Sequence, residues 1–442
     1  MMEDQKGARR IPTASRRLTD RRIVELLYKP ASTATVFAVY AEGGVTELES
    51  VEAPDGSTLV PISASNNLIR HQAVLLPERA EPYISVAHLV ASMSEYLYRY
   101  VDLSDEFLHI ATHYVLLTWV HDAFNELPYL RLRGDFGSGK TRALAIIGSI
   151  CYRPFFASGA STVSPIFHIL DSFGGTLVLD EADFRFSDEK SELVKILNNG
   201  NIRGFPVLRT AVTPKREFDP RAFQVFGPKV VAMRRAFEDP ALESRFLTEE
   251  MGQRRLRADI PINLPDAQRQ DAATLRNMLL MYRFENVGKL RVDDSLVDPT
   301  LSPRQNQIAA PLLALMESDR LRDEVRNTVK GFETALMRER SSTMEAAVLE
   351  IVLELRAPGN SSSVPVAEIA SAFQARYSAE YERTVTNRQI GGLLRHKLGV
   401  ATHKSHGVYV IPESELPKLR HIAKRYGIDR AAEESPISAE HE

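Results

Sequence analysis

The chain has 442 residues, and 44% are apolar, the usual share for a protein that builds its own cores; the length suggests roughly two to four domains. Its 55 Lys and Arg against 58 Asp and Glu leave a net charge of −3, which excludes a globally basic nucleic-acid binder and directs any such contact to local patches. The single cysteine, Cys151, excludes an internal disulfide framework and a cysteine-based zinc cluster, and no apolar run approaches the roughly 18 residues of a membrane span, so a cytoplasmic location is expected.

Residues 1–20 are polar and basic without an apolar stretch, and read as a flexible arm rather than a signal peptide. Residues 21–83 read as a small β-containing module. STATVFAVYAEGGVTELESV alternates around Gly43-Gly44, as a hairpin does, and DGSTLVPI adds a short strand. From residue 84, apolar residues recur at helical spacing through ISVAHLVASMSEYLYRYV and EFLHIATHYVLLTWVHDAF. PYLRLRG then reads as a strand entering a glycine-rich turn. Strands and helices alternate from there to about residue 285, which predicts an α/β core with a parallel sheet. A polar connection follows over 286–303, and helix resumes to residue 340. Residues 341–427 read as a separate domain, and 428–442 as a disordered acidic tail.

Gly134, Asp135, Phe136, Gly137, Ser138, Gly139, Lys140 and Thr141 match G-x-x-x-x-G-K-T without a gap, between an apolar strand and a helix. Glycines let the backbone curl so that consecutive N–H groups face phosphate oxygens, and the helix adds its positive N-terminal end. Lys140 is expected on the β- and γ-phosphates of ATP, and Thr141 on Mg²⁺. Downstream, the strand from Thr176 to Leu179 ends in two carboxylates. Asp180 is assigned to the Mg²⁺ shell and Glu181 to the attacking water, which favours hydrolysis. Asp180-Glu181-Ala182-Asp183 spells the name of the DEAD-box helicases, but no second RecA-like domain with its own arginine motif is found.

After the acidic strand end come a helix, SELVKILNNG, and two short strands around Thr213-Pro214-Lys215-Arg216. A strand ending in Arg234-Arg235 follows, then Ser244-Arg245-Phe246 and, past the connection, Leu301-Ser302-Pro303-Arg304. That order resembles the AAA+ ATPases, and more narrowly the minichromosome-maintenance-like (MCM-like) helicases of mobile genetic elements such as staphylococcal cassette chromosomes. The likeness covers about residues 84–340. It implies an AAA+ P-loop core with a helical lid and a hairpin in a ring pore, with Lys215 and Arg216 gripping the backbone of a DNA single strand without reading its sequence. It implies that Arg245 is an arginine finger, supplied across a head-to-tail contact of a closed ring, a homo-hexamer. It further implies that Arg304 is a second sensor approaching the γ-phosphate, with Arg276 and Arg283 as competing positions. Arg234 and Arg235 stand where the family usually has Asn or a small polar residue, so the first sensor stays unassigned.

Residues 343–426 read as three helices, a hairpin and a closing helix, the winged-helix pattern. Between 383 and 406 stand Arg383, Arg388, Arg395, Lys397 and Lys404, with no Asp or Glu. Arg388, Gln389, Arg395, Lys397 and Lys404 are the candidate contacts to duplex DNA; the alternative is a winged helix used for protein contacts. His109 and His113 share a helical face but lack a third metal ligand, and read as structural. Together these features predict an ATP-dependent, ring-forming DNA helicase in the replication of a mobile element or phage. The alternatives are a non-motor AAA+ helicase loader or origin-binding initiator, and a regulatory ATPase with a winged-helix partner domain.

Overall fold

The computed structural model describes residues 9–159, 161–180, 187–212, 218–237, 239–341, 343–356, 363–377 and 385–428. It divides into two compact units, Met1–Lys330 and Gly331–Glu442. Among the described residues no helix is long and apolar enough to cross a membrane.

The first unit opens with β1 (Arg10–Thr13), β2 (Ser15–Arg17), β3 (Ile23–Lys29), β4 (Ala34–Ala41), β5 (Gly44–Leu48), β6 (Val51–Glu52) and β7 (Thr58–Pro61). They form two small sheets, ordered β1-β7-β6 and β2-β3-β4-β5. The expectation of a flexible arm over residues 1–20 is corrected here: its described part is structured, because β1 pairs with β7 and β2 with β3. Ala14 and Leu18 are buried between the arginines, and they join the same core as Val24, Leu26 and Phe37. The β4–β5 hairpin turns at Glu42-Gly43, both at positive φ, one residue before the expected Gly43-Gly44. This module is not isolated, since its core runs on into Val163, Phe167 and Leu177.

After α1 (Asn67–Arg70), the helices α2 (Val86–Tyr100) and α3 (Asp105–Val120) start at Ser85 and Ser104, whose hydroxyls accept the His88 and Phe107 N–H groups. α3 is buried nearly all round, as a central helix must be. The Tyr114 hydroxyl both donates to the Lys229 carbonyl and accepts from its N–H, which pins α3 to the sheet.

The core then runs β8 (Tyr129–Arg133), α4 (Lys140–Ser149), β9 (Phe155–Ser158), α5 (Val163–Phe173), β10 (Leu177–Asp180), α6 (Ser187–Asn199), β11 (Val207–Val212), β12 (Phe218–Phe223), β13 (Lys229–Met233), α7 (Pro240–Glu243) and β14 (Phe246–Glu250). Five strands form one parallel sheet, ordered β14-β8-β13-β10-β9. The sequences KVVAM and LVLD are apolar runs rather than alternations because both sheet faces are covered. β11 and β12 pair separately as an antiparallel hairpin, from Val207↔Phe223 to Val212↔Phe218. α8 (Ala267–Asn286) packs on α2 and α3, α9 (Pro303–Leu313) packs on α3, and the unit boundary falls within α10 (Asp319–Ser341).

The second unit comprises α11 (Met344–Leu355), β15 (Val364–Pro365), α12 (Val366–Tyr377), α13 (Asn387–Gly392), β16 (His403–Ser405), β17 (Val408–Ile411) and α14 (Leu416–Arg425). α13 continues into a π-helical turn, Leu393–Lys397. The strands form an antiparallel sheet, β15-β17-β16, beside a core of Leu349, Ile369, Phe373, Ile390, Leu394 and Leu419. β15 is an addition to the sequence reading; two residues are too few to show a period.

Candidate nucleotide site

Parallel strands place their C-terminal ends on one edge, and three adjacent ends build the site. β8 runs into Gly134, β10 ends at Asp180, and β13 lies between them. A Cβ on Gly134 would sit 2.5 Å from the Met251 carbonyl oxygen, so only glycine lets the loop pass there. Gly137 and Gly139 have φ of 77° and 88°, and Gly139 opens α4. Lys140 Nζ donates to the carbonyls of Gly134 (2.8 Å) and Asp135 (2.7 Å) and to Ser138 Oγ (3.3 Å). The ammonium is thereby held inside a loop whose backbone curls around it, the arrangement of an anion cradle.

Two cavities meet at this loop. The smaller, of about 350 Å³, is lined by Lys140, Thr141, Asp180 and Arg234. A hydroxyl and a carboxylate sharing one cavity are oxygen donors of the kind Mg²⁺ takes together with phosphate oxygens. Among the described residues no group of three His, Cys, Asp or Glu could hold a metal unaided. The larger cavity, of about 1120 Å³, extends the other way, to Tyr100–Ser104 and the segment after β14. Arg234 lines both cavities, and its guanidinium stands 5.9 Å from the ring of Phe136, which is 89% exposed. The sequence left this position unassigned. Its signal, the first residue beyond the strand between the two motif strands, becomes usable only with the strand order known.

Arg245 and Arg304 stand elsewhere. Arg245 immediately precedes β14, whose far end, Glu250, is level with Arg133 at the loop. Five residues of strand, about 16 Å, separate Arg245 from the cradle of its own chain. Arg245 donates to Asn198 Oδ1 on α6, and Asn198 Nδ2 donates to Asp239 at 3.2 Å. Burial, and next the charge of Arg304, hold its pKa below the ordinary arginine range. Arg304 acts on Arg245 and on Glu126 and lines neither cavity. The competing positions are structural: Arg276 Nη1 donates to the Ser149 carbonyl at 2.7 Å, and Arg283 is ion-paired with Glu25 and Asp122. Glu181, Lys215 and Arg216 lie outside the described residues.

In the second unit Arg388, Arg395, Lys397 and Lys404 are all exposed. Arg395 donates to Thr402 Oγ1 at 3.0 Å and lies 5.7 Å from the Tyr409 ring. Gln389, read as a base-reading residue, instead completes a capping box with Thr386: its Oε1 accepts from the Thr386 N–H (2.9 Å) and hydroxyl (3.0 Å). His109 pairs with Glu324 at 2.8 Å, and His113 with the His109 carbonyl at 2.9 Å.

No protein-family model and no curated protein matches the chain. Among solved structures, an apo form of the NrS-1 C-terminal region is 11% identical, covers 88% of this chain and 96% of its own, and superposes with a TM-score of 0.38. A full-length MCM homolog from Methanopyrus kandleri is 11% identical over 69% of this chain and 68% of its own, with a TM-score of 0.38. Cdc6p from Pyrobaculum aerophilum is 13% identical over 75% and 98%, with a TM-score of 0.23. The functional reading therefore rests on the site's own residues.

Proposed function

We propose that the chain is an ATP hydrolase of the AAA+ type that closes into a head-to-tail ring on DNA and works as a replicative-type helicase. The observation that carries this reading is the separation of the cations. Lys140 stands with Thr141 and Asp180 at one edge of the sheet, whereas Arg245 stands at the other, within reach of the charge of Arg304. A cation that cannot reach its own chain's phosphates can complete those of a neighbour, and repetition of that contact closes a ring, here a homo-hexamer. Arg304, whose charge acts on Arg245, would serve the same neighbouring site rather than its own.

ATP would lie with its phosphates on Gly134–Thr141, and Mg²⁺ on Thr141 and Asp180 would neutralise charge on them. Asp180 would hold the metal's shell, Glu181 would align water, and Lys140 would hold the terminal phosphates. The pairing of β11 with β12, the strands that flank Lys215 and Arg216 in the sequence, supports a pore role for those two residues. The helix–helix–helix–hairpin order of the second unit supports a winged-helix domain contacting duplex DNA.

Subunit mixing tests the reading. Lys140→Ala and Arg245→Ala proteins should each lack ATP turnover, and their mixture should regain part of it, because one variant still offers a finger and the other a cradle. A mixture as inactive as its components would sink the proposal. Unwinding of a forked duplex by the wild type separates a helicase from a loader or initiator.

A further inference from the structure

The segment Met251–Ile262, which follows β14, lines the larger cavity and is fastened at two places along its length. At the first, Arg254 Nε and Nη2 donate to Asp102 Oδ1 at 3.1 and 3.0 Å, and the Arg257 backbone N–H donates to Asp102 Oδ2 at 3.2 Å. The Arg257 guanidinium covers the Tyr98 ring at 3.5 Å and donates to the Tyr98 carbonyl. At the second, Arg142, in the first turn of α4 beside Thr141, donates to the carbonyls of Pro261 and Ile262. Asp102 lies in the α2–α3 connection, which is itself held to β14, since Ser104 donates to Glu249 through its N–H and its hydroxyl, both at 2.7 Å.

The fastenings differ in strength from the rest of the wall. The sheet edge is tied by backbone ladders that end at Arg133, and the cradle by the Lys140 ammonium. Beyond Met251, whose N–H donates to the Arg133 carbonyl, the strap is held to the wall through side chains, and Arg254 is 47% exposed while its partner Asp102 is 9% exposed. A pair whose cation is half exposed to water costs less to open than one buried on both sides. Along the strap Leu256 and Ile260 line the cavity, apolar surface of the kind a nucleobase covers. The phosphates belong to the cradle, so this end of the cavity is left for the base and ribose.

We propose that Met251–Ile262 is a strap over the nucleoside end of the cavity and that Asp102 is its latch, a positioning residue that sets how long a nucleoside diphosphate or triphosphate stays bound. The proposal rests on the nucleotide reading above and deepens it: Asp102 acts on release, through Arg254 and Arg257, without touching the phosphates.

The test is release of a fluorescent N-methylanthraniloyl ADP from the full chain by stopped flow, with inorganic tripolyphosphate as a probe of the cradle alone. Asp102→Ala should release the nucleotide about tenfold faster, the scale of losing hydrogen bonds to a charged group. Arg254→Ala should be faster than wild type, and the double variant within about twofold of Asp102→Ala, as members of one interaction are non-additive. Tripolyphosphate affinity should not change. Unchanged release from a folded Asp102→Ala protein overturns the latch, and so does a parallel loss of tripolyphosphate affinity, which would make Asp102 a support of the whole site. If Asp102→Ala does not fold, Arg254→Ala decides by the same criteria. A wild-type chain that binds neither probe overturns the nucleotide reading itself, and the latch with it.

Discussion

Arg283 on α8 reaches Glu25 on β3 across 258 residues of sequence, its Nε donating to Oε1 at 2.7 Å with both side chains 2% exposed. The same guanidinium holds Asp122 at 2.6 and 3.0 Å, and the Tyr152 hydroxyl donates to Glu25 at 2.8 Å. Burial alone would raise the Asp122 carboxyl, but the Arg283 charge holds it well below the usual carboxylate range. This network ties the N-terminal module to α8 and to the segments that follow α3 and α4. Arg283→Met should destabilise the first unit by about 3–5 kcal/mol, because it leaves buried carboxylates without their cation. Adding Glu25→Gln should restore part of the loss. Trp119, the single tryptophan, is fully buried in this unit, so its fluorescence in urea reports the first unit alone. A double variant no better than the single would show that the charge pairing is not what the network supplies.

Arg234 stands between the cradle and Asp180 because β13 lies between β8 and β10. Its cation can meet charge that develops on a phosphoryl group. Arg234→Ala should lower kcat for ATP by about 10²-fold with a smaller change in nucleotide affinity, the pattern of a donor that acts mainly in the transition state. Arg235→Ala, at a residue that lines neither cavity, is the comparison. Phosphate-release kinetics measure both, and equal losses from the two would remove the special role of Arg234.

The core sheet was legible because its information is local: apolar runs of strand length, a glycine loop, and carboxylates at a strand end. The turn at Glu42-Gly43 was legible to within one residue for the same reason. What escaped depends on partners far away in sequence. Arg10–Arg17 looks like a solvated arm until β7 and β3 are placed beside it. Arg276 and Arg283 resemble sensors until Ser149, Glu25 and Asp122 are found against them. Gln389 illustrates a different limit, since a polar residue three places after a capping threonine fits a capping box as well as a base contact.

Lys229 makes stability depend on pH. Its ammonium is fully buried against the carbonyls of Gly200 (3.2 Å), Val225 (3.0 Å) and Gly227 (2.9 Å), and burial pushes it down to about 7 from 10.5. Between those values the unfolded chain binds the extra proton, so the burial cost is greatest below pH 7 and is relieved as pH rises. The slope is at most about 1.4 kcal/mol per pH unit. Cys151, pushed by burial to about 12, acts in the opposite sense only above its ordinary value of 9.0. Urea titrations from pH 7 to 9 should therefore show the wild type gaining stability relative to Lys229→Met. Parallel curves would mean that the three carbonyls keep the amine protonated throughout.

The second unit offers a separable test of nucleic-acid binding. Lys397 and Lys404 are exposed cations, whereas the Gln389 amide oxygen is occupied by the capping box. Contacts to phosphate carry no sequence information but release counterions. Lys397→Ala and Lys404→Ala should each weaken duplex binding uniformly across sequences and reduce the slope of log affinity against log salt by about one. Gln389→Ala should cost the unit about 1 kcal/mol through its cap and leave sequence preference where it was. Fluorescence anisotropy with duplexes of different sequence, at several salt concentrations, measures all three. An unchanged salt slope in both lysine variants would turn the surface into a protein-contact face. A change of sequence preference in Gln389→Ala would return that residue to base reading, with the cap broken when DNA binds.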